Sequence, residues 1–426
     1  MTVLVFLLSL LGAMALGMPI AYALLVSAIA LMLHLQMFDA QIIAQNLING
    51  ADSFALMAVP FFMLAGEIMN SGGLSKRIVH VALGLVGHVK GGMGYVTVVA
   101  ACVLSALSGS ALADAAALAT LLVPMMVKAG HPRSRAAGLV AASSIIGPII
   151  PPSIGFVIFG VAANLSVTKL FMAGIFPGLY LGLGLMFTWW WLARREIIAT
   201  PPRMQRSELI LAFKDGIWAL IMPFIVIFGL KFGVFTPTEA GVVSATYAWA
   251  ISMFVYRELT WKDLYPLLVR AALTTSVVMF LVAAALVSGW LITIADLPGK
   301  LVEILQPLVD SPTLLMFALM GLVLIVGTAM DMTPTILILT PVLMPVIKAA
   351  QIDPIYFGVL FMINNSIGLV TPPVGTVLNV VAGVTRMSIS EVTRGVWPFM
   401  MAQTGVLLLL VLFPVLVTGP LKFLTQ

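Results

Sequence analysis

Charge is what this chain has least of. Asp, Glu, Lys and Arg make up 9 % of its 426 residues and hydrophobic residues 62 %, whereas soluble domains carry about 25 % charged residues. So little polar surface cannot cover a globule in water, which excludes a soluble protein and places the chain in a bilayer. The single cysteine, Cys102, excludes an internal disulfide, and four histidines (His34, His80, His88 and His131) are scattered along the sequence. Nothing among them has metal-site spacing, so neither transition-metal nor haem chemistry is expected. No Lys or Arg precedes Lys76. The apolar N-terminus therefore lacks the basic region of a cleavable signal peptide and reads as the first span. A net charge of +5 would suggest nucleic acid in a soluble protein, but here membrane topology accounts for it, and nucleic acid is excluded as a partner.

Proline, by contrast, occurs where a membrane helix tolerates it poorly. Gly147-Pro148-Ile149-Ile150-Pro151-Pro152-Ser153 and Gly368-Leu369-Val370-Thr371-Pro372-Pro373-Val374 each lie inside a long apolar run. A prolyl pair removes N–H donors and interrupts the helix. The two breaks are copies: Pro151 to Pro372 and Pro177 to Pro398 are 221 residues apart (372 − 151; 398 − 177), and Lys128 to Lys348 and Gly138 to Gly358 are 220 apart. Gly174-Ile175-Phe176-Pro177 likewise echoes Gly395-Val396-Trp397-Pro398. Where two repeats with matching interrupted helices meet, secondary transporters bind substrate and coupling ion.

With about 20 apolar residues as the length of a span, the sequence reads as an all-α polytopic membrane protein of two repeats. The first, residues 1–193, has two short spans up to residue 34 broken near Gly17-Met18-Pro19, a span at 54–70 and an interfacial helix at 74–86. A re-entrant hairpin follows over 92–130 with its tip at Ser108-Gly109-Ser110, then a broken helix over 133–163 and a span over 170–192. A polar linker, 194–214, leads to the second repeat, 215–426. Its spans lie near 215–235, 238–256 and 271–295, followed by a hairpin over 312–350 with its tip at Gly327-Thr328, a broken helix over 354–384 and a last span near 395–418.

About five crossings per repeat is odd, so the second copy is expected upside down. With the N-terminus outside, the cytoplasmic face receives Lys76, Arg77, Lys90, Lys128, Arg133, Arg135, the five basic residues from Arg194 to Lys214, Arg257, Lys262, Arg270, Arg386 and Arg394. These are 16 of the 21 basic residues, leaving Lys169, Lys231, Lys300, Lys348 and Lys422 outside. That bias predicts periplasmic N- and C-termini. The two hairpins then enter from opposite faces.

Unwinding at the breaks frees carbonyls that need a partner in hydrocarbon, and a small hard cation satisfies several at once. Sodium suits oxygen-only ligands. Candidate ligands are Ser108, Ser110, Gly147, Pro151 and Ser153 in the first repeat, and Gly327, Thr328, Gly368, Thr371, Pro372 and Thr376 in the second. Candidate substrate contacts are Ser105, Gly109, Asn364, Asn365 and Gly375, the two asparagines standing where the first copy has Ser143-Ser144. Asp114 and Asp331 each follow a hairpin tip and either line the ion path or brace the hairpin. Hydroxyls and glycines in such helices also serve simple packing. Glu67 stands near the end of a span, and Trp189-Trp190-Trp191 before Arg194 reads as an interfacial belt.

These residues also resemble a known family. The run Ser105 to Asp114, the break Gly147 to Ser153, Leu170-Phe171-Met172-Ala173-Gly174-Ile175-Phe176-Pro177-Gly178, Phe235-Thr236-Pro237-Thr238-Glu239-Ala240-Gly241 and the break Gly368 to Gly375 are similar to the large membrane subunit of TRAP transporters. The resemblance covers essentially the whole chain. Asn49-Gly50-Ala51-Asp52-Ser53-Phe54 and Asp353 to Val359 are similar to members serving 2,3-diketo-L-gulonate. The resemblance implies sodium-coupled uptake of an organic acid, a sugar acid or a dicarboxylate, across the bacterial inner membrane. It also implies a periplasmic solute-binding protein and a small membrane subunit as partners, the latter expected as a separate chain, and an elevator-type transport domain sliding against a scaffold. No cofactor beyond the coupling ion is implied. Held at helix N-termini, a carboxylate needs no buried Arg.

Two other classes fit the residues alone. One is a self-sufficient ion-coupled carrier that needs no binding protein. The other is an intramembrane aspartyl protease with Asp114 and Asp331 as its dyad, which would require two carboxylates sharing a proton.

Overall fold

The structure, a computed structural model, describes residues 2–194 and 202–425. They form twenty α-helices, and no strand occurs among the described residues. Eight of these helices, some with an adjoining turn, are long and apolar enough to cross a bilayer. Leu183, Phe187, Phe224 and Val277 stand at least half exposed on the outer surface, as lipid-facing side chains do. The chain is a multi-pass membrane protein.

The first repeat runs α1 (Thr2–Ala15), α2 (Ile20–His34), α3 (Ala40–Ala51), a short 3₁₀ turn, α4 (Ala58–Ser71), α5 (Leu74–Val86), α6 (Gly92–Ser108), α7 (Ala111–Lys128), α8 (Arg133–Ser144), α9 (Ile154–Ala163) and α10 (Val167–Ala193). The second runs α11 (Arg206–Lys231), α12 (Pro237–Ala250) closed by a π turn, α13 (Trp261–Ile294), α14 (Leu297–Val309), α15 (Pro312–Ala329), α16 (Met332–Ala349), α17 (Pro354–Gly368), α18 (Thr376–Thr385) and α19 (Ile389–Leu412), with α20 (Val415–Thr425) appended. The copies match element by element. Adding 221 to the bounds of α7 gives those of α16 (111 + 221 = 332; 128 + 221 = 349). On the same offset α13 corresponds to α3 and α4 joined, and α14 to α5.

Local chemistry sets the helix starts. Thr236 with Glu239, Thr260 with Asp263 and Ser388 with Glu391 form capping boxes at the heads of α12, α13 and α19, each satisfying N–H groups that a helix leaves open. Glycine sets the closest approach of two helices. A methyl on Gly138 of α8 would stand 2.1 Å from the carbonyl carbon of Gly395 in α19, so the two backbones touch. Small-residue contacts of this kind hold membrane helices together where water supplies no hydrophobic drive.

Several expectations need correction. Helices α3 and α14 were not foreseen, because both are short and amphipathic. Helix α13 begins ten residues before the expected 271 (271 − 261). The second hairpin turns at Met330-Asp331, not at Gly327-Thr328, since α15 stays helical through Ala329. Nor is Trp189 part of a belt: it is fully buried, its indole N–H donates to the Gly91 carbonyl at 2.7 Å, and it fills the corner before α6. Trp190 and Trp191 remain about half exposed, with the Arg194 guanidinium over both rings.

At the basic end, Arg77 of α5 clamps the helices around it. It meets Glu258 at 2.6 Å and Asp215 of α11 at 3.2 Å, and its guanidinium lies 3.7 Å over the Tyr256 ring. Glu67 does not merely reach the interface but pairs with Arg270 of α13 at 3.3 Å.

Candidate substrate and ion site

Each hairpin tip rests on a helix break. At the first, α6 ends in Gly109 with φ +61°, a left-handed conformation that costs a side-chain-bearing residue about 1–2 kcal/mol. A methyl there would also lie 2.4 Å from the Pro152 carbonyl oxygen. Glycine is therefore what lets the tip sit on the broken segment between α8 and α9. Ser110 caps α7, accepting from the Ala113 N–H at 3.4 Å. Ser108 donates to Asp114 at 2.5 Å and accepts from the Ser110 N–H at 3.2 Å. Ser153 caps α9, accepting from the Phe156 N–H at 3.2 Å while donating back to the Pro148 carbonyl. The Pro151–Pro152 peptide bond is cis, as is Pro372–Pro373.

The first cluster is closed and its polar atoms are not all satisfied. Ser105, Ser108, Gly109, Asp114, Gly147, Pro151 and Ser153 are buried, yet Ser105 Oγ and the second carboxylate oxygen of Asp114 form no hydrogen bond of full geometry, the Ser105 hydroxyl only facing the Asp114 carboxylate. A methyl on Gly147 would stand 2.7 Å from that oxygen and 3.1 Å from the Ser144 carbonyl. Two oxygens of different residues thus converge where Gly147 leaves room.

The second cluster is more open. Gly327, inside α15, packs on Gly368 at the end of α17, and the Val374 N–H reaches the Thr328 carbonyl at 3.4 Å. Thr376 donates to Asp331 at 3.2 Å, whereas Thr328 donates to the Ile325 carbonyl within α15 and Thr371, in the break, to the Ile367 carbonyl near the end of α17. Pro372, Pro373 and Val374 are exposed, unlike their counterparts Pro151, Pro152 and Ser153. Asn365 donates to the Met332 carbonyl at 3.1 Å and leaves its amide oxygen buried without a partner. Asn364 is turned to the Met320 carbonyl. Gly375, with φ +45°, opens α18.

Asp114 and Asp331 are not repeat equivalents. Asp331 occupies the N-cap position of α16, 221 residues after Ser110 (331 − 110), while Asp114 lies within the first turn of α7.

The two clusters are joined through the repeats. Helix α9 packs against α16 and α7 against α18, the reciprocal contacts of a two-fold arrangement. Met332 at the head of α16 and Met362 of α17 close over Gly155 at the head of α9. Helices α7, α9, α16 and α18 thus all begin at the tips and breaks, where their N-terminal dipole ends favour an anion. Helices α6, α8, α15 and α17 end there, offering carbonyls. The sequence reading missed Gln403 of α19, which donates from a fully buried position to the Ala142 carbonyl at 2.7 Å and pins α19 beside the first break. Its signal was present: an amide within an otherwise apolar span.

Paired interrupted helices and hairpins within a polytopic bundle define a membrane transporter. Residues 7–416 match the family described as "Tripartite ATP-independent periplasmic transporter, DctM component", and the chain belongs to that family, as a large permease and not an enzyme. It is 57 % identical over 424 residues, covering both chains fully, to the 2,3-diketo-L-gulonate TRAP transporter large permease protein YiaN of Escherichia coli K12. It is 38 % identical to the sialic acid TRAP transporter large permease protein SiaM of Vibrio cholerae, over 95 % of each chain. The crystal structure of the YdaH transporter of Alcanivorax borkumensis shares the fold, with a TM-score of 0.66 over 90 % of this chain and 91 % of that one at 15 % identity.

Proposed function

We propose that this chain is the carrier subunit of a three-part, sodium-coupled importer of an organic acid, with a sugar acid of the 2,3-diketo-L-gulonate type as substrate. The convergence of unpartnered buried oxygens on the two tip-and-break contacts carries this reading. In hydrocarbon such acceptors cost free energy unless a cation meets them. Ser105, Asp114 and the Ser144 carbonyl would serve one ion. Asn365 and the carbonyls between Gly368 and Pro373 would serve another, with Ser110, Ser153, Thr328, Thr371 and Thr376 completing the shells. The four helix N-termini would hold the carboxylate between them.

The two copies, offset by 221 residues, support an inverted arrangement with both termini periplasmic, and hence a transport part (α6 to α9 with α15 to α18) sliding against the remainder. The substrate assignment rests on the identity to the diketogulonate permease over full length. Partners follow from the family: a small membrane subunit, and a periplasmic binding protein that delivers the acid. Reconstituted alone in liposomes, the chain should accumulate no acid; with the small subunit, the binding protein and an inward sodium gradient it should take up 2,3-diketo-L-gulonate. Uptake by the chain alone would instead favour a self-sufficient carrier, and uptake indifferent to sodium would remove the coupling ion.

A further inference from the structure

A cavity with a mainly apolar lining and a few polar groups lies away from the tips and breaks, between α3 and α13 on one side and α9 and α16 on the other. Its volume is about 410 Å³, and Asn46, Asn49, Trp290, Thr293, Ala162 and Pro341 are among its walls. We propose that this cavity is an outer docking site, occupied by the transported polyhydroxylated acid before it reaches the central site. The proposal rests on the function stated above and adds a location and a set of contacts to it.

Size and chemistry agree. Pockets for small molecules span about 300–1,000 Å³. Asn46 spends its amide N–H on the Ile42 carbonyl at 2.9 Å, and Thr293 spends its hydroxyl proton on the Gly289 carbonyl at 2.9 Å. Both keep an oxygen free to accept from a sugar hydroxyl. Asn49, exposed, brings an amide able to donate to a carboxylate, and Trp290 brings an aromatic wall suited to the carbon face of a sugar acid. The space is kept open at Gly289, where a methyl would meet only Pro341, at 3.8 Å.

The walls of the cavity belong to the two parts that slide past each other, so an acid docked there would be released as they move.

Thiol protection tests this in the assembled complex. Cys102→Ala removes the native thiol, Asn49→Cys introduces one in the cavity, and a membrane-impermeant maleimide is applied from outside with and without 2,3-diketo-L-gulonate. With sodium omitted, so that the central site is not loaded, the acid should slow labelling several-fold. Adding Gly289→Leu, which fills the cavity, should abolish that protection. Independently, Asn46→Ala should raise the KM for uptake about tenfold, the loss of roughly one hydrogen bond, with kcat and the sodium requirement unchanged. Labelling indifferent to the acid in a complex whose uptake is intact would overturn the docking site and leave the transport function standing. Should the unmodified complex fail to take up this acid, the functional reading falls and the inference with it.

Discussion

Asp114 holds Ser108 with one carboxylate oxygen and leaves the other buried beside Gly147 without a full hydrogen bond. A carboxylate at that depth is usually functional, and a cation would supply what the missing partner does not. Replacing Asp114 by Asn, or Thr371 by Val, should raise the sodium concentration for half-maximal uptake by about tenfold, roughly 1.4 kcal/mol of ion binding. Expression and assembly should change little. Ser110→Ala is more complex, because Ser110 also caps α7 and removing a cap costs about 1 kcal/mol. Its stability would fall in either case, so the sodium dependence is the discriminating readout. If all three variants transport with unaltered sodium requirement, the hydroxyls are helix-packing groups and the ions bind elsewhere.

At the scale of elements, the first break is held in place by α8 against α19. The backbone contact between Gly138 and Gly395 leaves no room for a side chain, so Gly138→Val should separate the helices, lower the melting temperature of the purified complex by several degrees and abolish uptake. Gly383 of α18 provides the control: nothing lies within 4 Å of a methyl placed there. Gly383→Ala should be neutral or stabilise by up to about 1 kcal/mol through helix propensity. Equal melting temperatures for the two variants would remove the close-packing account. The same scale explains the second hairpin tip. Gly327 and Thr328 resemble turn residues in sequence, but Gly327 stands inside a continuing helix, and it is the absence of a side chain on Gly368, whose methyl would lie 2.7 Å from the Gly327 carbonyl, that lets α15 and α17 touch there.

For the whole molecule, orientation follows from how basic residues are distributed. Compartment-sensitive reporters fused near Arg203 and at Gln426 should report cytoplasm and periplasm respectively. Both on one side would require an even number of crossings in the second repeat and would defeat the inverted arrangement.

Membrane residence, the duplication, both breaks and the first hairpin tip were legible in the sequence alone. Each follows from local rules: hydrocarbon admits few charges, a prolyl pair cannot continue a helix, and a copied segment keeps its spacing. Contacts between elements distant in sequence were decided only by the tertiary structure. It buried Trp189 beneath the Gly91 corner and set Gln403 on the Ala142 carbonyl. It also closed the first break while leaving the second exposed, although the two motifs share their glycine and prolyl pair. Burial depends on what packs across a residue: the Gly109 tip and Gly174 of the same copy press on the first break, and Met332 and Met362, 177 and 207 residues away in the other copy (332 − 155; 362 − 155), cover Gly155 beside it.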